Sequence, residues 1–100
     1  MKSNEIVVVT RHKTLVQHLR ETGIIDGEVK VLSHVEDEDV ATISGRTVVG
    51  VLPMHLAALC GTYICVPLKI PSDLRGKELT LDEVRKFAGE PEYYEVLRKF

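Results

Sequence analysis

The stretch Thr47-Val48-Val49-Gly50-Val51-Leu52-Pro53-Met54-His55-Leu56-Ala57-Ala58-Leu59-Cys60-Gly61 decides how the rest of this 100-residue chain is read. It opens with an almost unbroken β-branched run, the signature of a strand covered on both faces. Pro53 ends that strand, because it has no N–H to give to a ladder. Small and apolar residues follow at helical density, and Gly61 stands where a C-cap glycine would. A buried strand passing at once into a helix is half of a βαβ unit. It sets Pro53, Met54 and His55 at the strand's carboxyl end, the edge where open α/β sheets bind ligands.

Outward from there, Ile6-Val7-Val8-Val9-Thr10 reads as a second buried strand, broken by Arg11-His12-Lys13. Thr14-Leu15-Val16-Gln17 has the form of a capping box. Leu15, Val16 and Leu19 then make a narrow apolar stripe, with His18, Arg20 and Glu21 outward and a stop at Gly23. Val29-Lys30-Val31-Leu32 alternates weakly and is expected as an outer strand. Glu36-Asp37-Glu38-Asp39 is an acidic loop or single turn, and Ser44-Gly45-Arg46 turns the chain into the central strand. Thr62 to Val66 is the fourth strand, closed by Pro67 and Pro71. Thr80-Leu81-Asp82-Glu83 is a second capping box, opening a helix to about Ala88 with Gly89 as its stop. Pro91 fits the first turn of a last helix, Glu92 to Lys99, with a C-terminal strand as the alternative.

Strand and helix alternate, which predicts the α/β class with right-handed crossovers. The expected architecture is a compact Rossmann-like three-layer domain spanning residues 1–100, with a short, mainly parallel four-stranded sheet in the order 2-1-3-4. In that order the chain reverses direction between the first and third strands, and the loops there part to leave a crevice. Those loops are Thr10-Arg11-His12 and Pro53-Met54-His55. Two imidazoles, a guanidinium, a hydroxyl and two helix N-termini would face one cavity, a seat for a phosphate or carboxylate.

Composition limits the partners. A chain this short buries roughly two thirds of its unfolded surface, so a second copy is a natural cover for leftover apolar area. The formal charge of −2 lacks the basic surplus that duplex nucleic acid needs. A polyanion would have to be held by a few cations focused in one pocket. No apolar run approaches the roughly 20 residues of a membrane span, and the segment after Met1-Lys2-Ser3-Asn4-Glu5 is too short for a signal peptide, so a cytoplasmic location is expected. Cys60 and Cys65 lack metal or redox spacing and read as buried reduced thiols.

Each candidate has a plainer counterpart. Arg11 reads as a phosphate clamp or a solvated loop cation, and His12 and His55 as proton-transfer groups or helix-flanking surface residues. Thr10 orients a ligand or satisfies a strand-end backbone group. His18 lies on an exposed helix face. His34 with Glu36, Asp37 and Asp39 reads as solvent-facing charge rather than a metal site. Lys69, Arg75 and Lys77 form a second small basic set, either over the crevice mouth or on ordinary surface.

Three segments taken together resemble a known family. Val9-Thr10-Arg11-His12, Gly50-Val51-Leu52-Pro53-Met54-His55-Leu56-Ala57-Ala58 and Leu74-Arg75-Gly76-Lys77-Glu78-Leu79, in this order and spacing, look like the small type III CRISPR-associated accessory family of the Csx-sixteen type. The chain departs from that pattern at Arg46 and at Lys13-Thr14. The resemblance implies a ring nuclease, a minimal relative of cyclic-oligoadenylate-sensing domains that cleaves cyclic tetra-adenylate and switches off type III CRISPR signalling. A homodimer is expected, since a two-fold pair can clasp a near-symmetric ring with one set of loops used twice. The expected chemistry is attack of a ribose 2′-hydroxyl on the adjacent phosphate, with no metal and no cofactor. On that reading Arg11, His12 and His55 are catalytic. Thr10, Arg11, Lys13, Thr14, Pro53, Met54 and Arg75 bind the substrate, with Lys77 ranked beside Arg75. The rival readings are a non-catalytic sponge or sensor for the same nucleotide and a protein-interaction subunit with no nucleotide role.

Overall fold

The computed structural model describes residues 6–99; Met1–Glu5, considered above as a possible leader, and Phe100 lie outside the described residues. Five strands form one sheet in the order β2-β1-β3-β4-β5. They are β1 (Ile6–Val9), β2 (Val29–Leu32), β3 (Thr47–Gly50), β4 (Thr62–Cys65) and β5 (Glu92–Tyr94). The first four are parallel, and β5 runs antiparallel against β4. Four α-helices lie among the described residues: α1 (Lys13–Glu21), α2 (Val40–Ile43), α3 (Met54–Ala57) and α4 (Leu81–Phe87).

The β-branched runs explain the centre. Val7, Val8, Val48 and Val49 are fully buried, because alternate side chains of β1 and β3 feed different cores. Val8, Val49 and Ile64 pack with Leu15 and Leu19 of α1 and Val84 of α4. Val7, Val9 and Val48 pack with Ile43 of α2, Ala57 of α3 and Tyr63. Helices therefore cover both faces, and this domain is a mixed α/β three-layer structure.

The sheet has five strands where four were expected, and the segment read as a last helix supplies the fifth. The cause lies in the chain that precedes it. After α4, Gly89 N–H donates to the Pro67 carbonyl (2.7 Å) and Leu68 bridges Ala88, so the chain already runs antiparallel beside the exit of β4. Tyr93 and Tyr94 are strong strand formers, and they continue that pairing as Ile64↔Tyr93 and Tyr63↔Tyr94. The tyrosine rings of the second pair sit 6.3 Å apart.

Two helix ends also differ from expectation. α1 begins two residues earlier than a Thr14 cap requires: His12 is its N-cap, with no side-chain cap. The Thr14 hydroxyl instead donates to the Leu79 carbonyl (2.8 Å), tying α1 to the approach of α4. α3 stops after one turn at Ala57, so Gly61 is not its C-cap. Gly61 instead lets two turns meet, since a Cβ there would lie 2.8 Å from the Gly45 carbonyl oxygen. The Thr80 cap forms in full: its hydroxyl accepts from Glu83 N–H and the Glu83 carboxylate accepts from Thr80 N–H.

Candidate functional site

Register sets the site. Val9 of β1 pairs with Leu32 of β2 and with Gly50 of β3, so three strands finish level with one another. Thr10 N–H donates to the Leu32 carbonyl (2.8 Å), carrying the β1–β2 pairing one step into the loop. Beyond these strand ends opens a cleft of about 550 Å³. Thr10, Arg11 and His12 from the β1 exit form one side; Ser33, His34 and Val35 from the β2 exit form another. The β3 exit contributes Gly50 through Pro53, and Cys65 to Leu68 with Ile70 close the far wall.

The β1 exit is a tight polar turn. Thr10 Oγ1 accepts the His12 N–H (3.1 Å), which aims the chain into α1. Because His12 caps α1 with backbone only, no side chain occupies the first-turn N–H groups of a nine-residue helix. Arg11 is exposed at this rim. His12 is half-buried, and its Nδ1 is enclosed without a hydrogen-bond partner among the described residues.

The β3 exit is a pinned, apolar wall. Gly50 sits at φ 148°, and a Cβ there would fall 2.1 Å from the Val9 carbonyl oxygen. Only glycine allows the ends of β1 and β3 to press together beneath the cleft. One step on, Tyr63 is 7% exposed and its hydroxyl donates to the Gly50 carbonyl (2.8 Å) while accepting the Leu52 N–H (3.0 Å). Burial, with the two nearby cysteines, pushes the Tyr63 phenol above its ordinary range, so it stays a donor. Tyr63 is the positioning residue that sequence reading passed over. Its only signal was a lone polar tip inside a buried apolar strand.

The proposed site residues divide. Thr10, Arg11, His12 and Pro53 line the cleft. Lys13 lines an adjoining hollow of about 270 Å³, which shares Thr10 and His12 with the cleft and continues along Gln17, Arg20 and Val31. Thr14 points to Leu79. Met54 and His55 are exposed on the single turn of α3, and neither belongs to the cleft wall. Arg75 and Lys77 are exposed beyond it, after the 3-10 turn Ser72–Leu74. Conversely, Ser33 and His34 do line the cleft.

Its electrostatics differ from those of the whole chain. Among the described residues no aspartate or glutamate lines the cleft, although the sequence has 15 acidic residues against 13 Lys and Arg. Cys65 also reaches the wall, but burial and Glu92 push its thiol up, away from the reactive thiolate. No group of three or more His, Cys, Asp or Glu among the described residues is placed to hold a metal ion. No helix among them is long and apolar enough to cross a membrane.

A family model described as "Putative CRISPR-associated protein (Cas_VVA1548)" matches residues 7–97. No curated protein and no solved structure matches the chain. The matched span takes in all three exits that build the cleft and all five strands save the first residue of β1, and the chain belongs to this CRISPR-associated family.

Proposed function

We propose that this protein is a ring nuclease that binds cyclic tetra-adenylate and opens it, ending type III CRISPR signalling. One observation carries the reading: in a net-acidic chain, the cleft at the strand ends is walled without a carboxylate and rimmed by Arg11 and His12. That focuses positive potential where a phosphodiester would sit. The CRISPR-associated family supplies the context in which such a ligand is made.

The reaction needs little covalent help from the protein. A ribose 2′-oxygen attacks the adjacent phosphorus and the bond to the 5′-oxygen breaks, leaving a 2′,3′-cyclic phosphate and a free 5′-hydroxyl. Holding ribose and phosphate in line contributes up to several kcal/mol, on the scale of about 7–11 kcal/mol known for well-oriented intramolecular reactions. Arg11 and the uncapped first turn of α1 take the phosphate oxygens as charge builds on them. His12 gives the 5′-oxygen its proton. Thr10 and Pro53 shape the wall, and Lys13 meets the neighbouring nucleotide in the adjoining hollow.

A cleft of about 550 Å³ suits part of a four-nucleotide ring, not the whole. A second copy completes it. Val51 at the rim is 78% exposed and Met54 beside it 71%, an apolar shoulder that pairing about a two-fold axis would cover.

The test is incubation of purified protein with cyclic tetra-adenylate in EDTA, with products separated by chromatography. Linear products bearing a 2′,3′-cyclic phosphate are expected. An intact ring with binding retained would make the protein a sponge. Neither cleavage nor a rise in melting temperature removes the nucleotide altogether, because a ligand at about 100 times its Kd adds about 2.7 kcal/mol of stability.

A further inference from the structure

The β2 exit brings a third group of side chains to the cleft. His34 stands in its wall between Ser33 and Val35. Its Nε2 lies 2.6 Å from Glu36 Oε2, and its Nδ1 lies 3.2 Å from Ser33 Oγ. Glu36 is placed by the turn that follows: its backbone carbonyl accepts the Asp39 N–H (2.8 Å), and the Asp39 carboxylate accepts the Glu36 N–H (3.0 Å). An ionised carboxylate can only accept, so the proton between Glu36 and His34 sits on Nε2. Nδ1 is then the bare nitrogen of the neutral ring, and the Ser33 hydroxyl donates to it. An imidazole whose far side is fixed by a carboxylate, with its near side offered to a hydroxyl, is the arrangement of a general base and its orienting acid. The His34 side chain is 55% exposed, so a ligand hydroxyl can reach the position that Ser33 Oγ occupies.

We infer that His34 is the general base of the reaction and Glu36 its positioning residue, an assignment that rests on the ring-nuclease reading. The ribose 2′-hydroxyl replaces Ser33 as donor and gives its proton to His34 Nδ1 as the 2′-oxygen bonds to phosphorus. The 5′-oxygen leaves with the proton from His12. His34 ends the step protonated and His12 neutral; solvent returns both to their starting states. The base and acid thus come from neighbouring strand exits, β2 and β1, on one cleft.

Single-turnover cleavage of cyclic tetra-adenylate by the full chain, with affinity measured in parallel, tests this. His34→Ala and His34→Gln should each slow cleavage by about 100-fold or more, with affinity within about threefold of the parent. Added imidazole should restore part of the His34→Ala rate, which a merely structural histidine would not show. Glu36→Gln, which can still accept the Nε2 proton in a hydrogen bond, should keep more activity than Glu36→Ala. Cleavage by both His34 variants at the parental rate overturns this assignment and leaves the ring-nuclease reading standing. A parent protein that binds the ring and never cuts it overturns both.

Discussion

The exits of β1 and β3 are built to the same length and do opposite work. Val9 and Gly50 pair in register, and three residues follow each before the helix: Thr10-Arg11-His12 in one case, Val51-Leu52-Pro53 in the other. His12 and Pro53 are thus equivalent N-caps. The first connector is polar and sits in the cleft, whereas the second offers apolar side chains and a backbone pinned by Tyr63. His55 corresponds not to His12 but to Thr14, two residues into the helix, and both have turned away from the cleft. A histidine near a strand end is not enough; its position relative to the helix cap decides whether it faces the site.

The largest effect should come from testing that difference directly. His12→Ala is expected to reduce cleavage of cyclic tetra-adenylate by about 100-fold or more, the usual scale for losing a proton-transfer group. His55→Ala should stay within about threefold, because its side chain lies outside the wall. Equal losses from the two would break the asymmetry and give the β3 exit a chemical part. Rates with affinities measured alongside keep a binding defect separate from a catalytic one.

The β3 exit should fail by stability instead. Gly50→Ala puts a methyl group against the Val9 carbonyl in a backbone conformation that L-residues avoid. Strain of about 1–2 kcal/mol and overpacking of about 1–3 kcal/mol combine to roughly 3 kcal/mol. For about 100 residues that is a fall of about 12–24 °C in Tm. Tyr63→Phe leaves a buried carbonyl at Gly50 and a buried N–H at Leu52 unpaired, at about 1–3 kcal/mol. Thermal melts of both variants check the order. A Gly50→Ala protein as stable as its parent would mean that the β1 and β3 ends do not press together.

What the amino-acid pattern revealed, and what it hid, follows from the range of each interaction. The buried strands were legible because β-branched runs such as Val7-Val8-Val9 and Thr47-Val48-Val49 carry their burial in composition. The adjacency of the β1 and β3 exits came from connectivity rules alone. The fifth strand was obscured because its stability comes from the open edge of β4, a partner distant in sequence in pairs such as Ile64↔Tyr93 and already engaged through Gly89 and Pro67. Thr14 had the pattern of a cap, but the Leu79 carbonyl outcompeted that local role. The contact of His34 with Glu36 was hidden for another reason. An acidic run looks like solvated surface until a turn sets its backbone, as the Glu36–Asp39 bonds do, and leaves one carboxylate on a neighbouring ring.

The smallest expected effect concerns how the two connectors are braced. α1, which carries the polar exit, is tied to α4: Arg85 grips Glu21 through Nε (2.7 Å) and Nη2 (2.9 Å) and reaches Asp82 through Nη1 (2.8 Å). α3 is one turn long and has no such brace among the described residues. Arg85→Ala should therefore lower Tm only slightly near neutrality, since the bridge is on the surface and salt screens it. The Arg85 guanidinium holds the Glu21 carboxyl below its ordinary value of 4.5. A carboxyl depressed in the folded state contributes stability above its unfolded pKa and loses it as the pH falls through the folded one. The Tm gap between parent and variant should thus be present at about pH 7 and shrink below about pH 4.5, and it should narrow with added salt at neutral pH. Melts across that pH range decide it. A gap that stays the same from neutral pH into acid, and with added salt, would show that Arg85 braces α1 through its packed stem rather than its charge, and the two exits would then differ in packing alone.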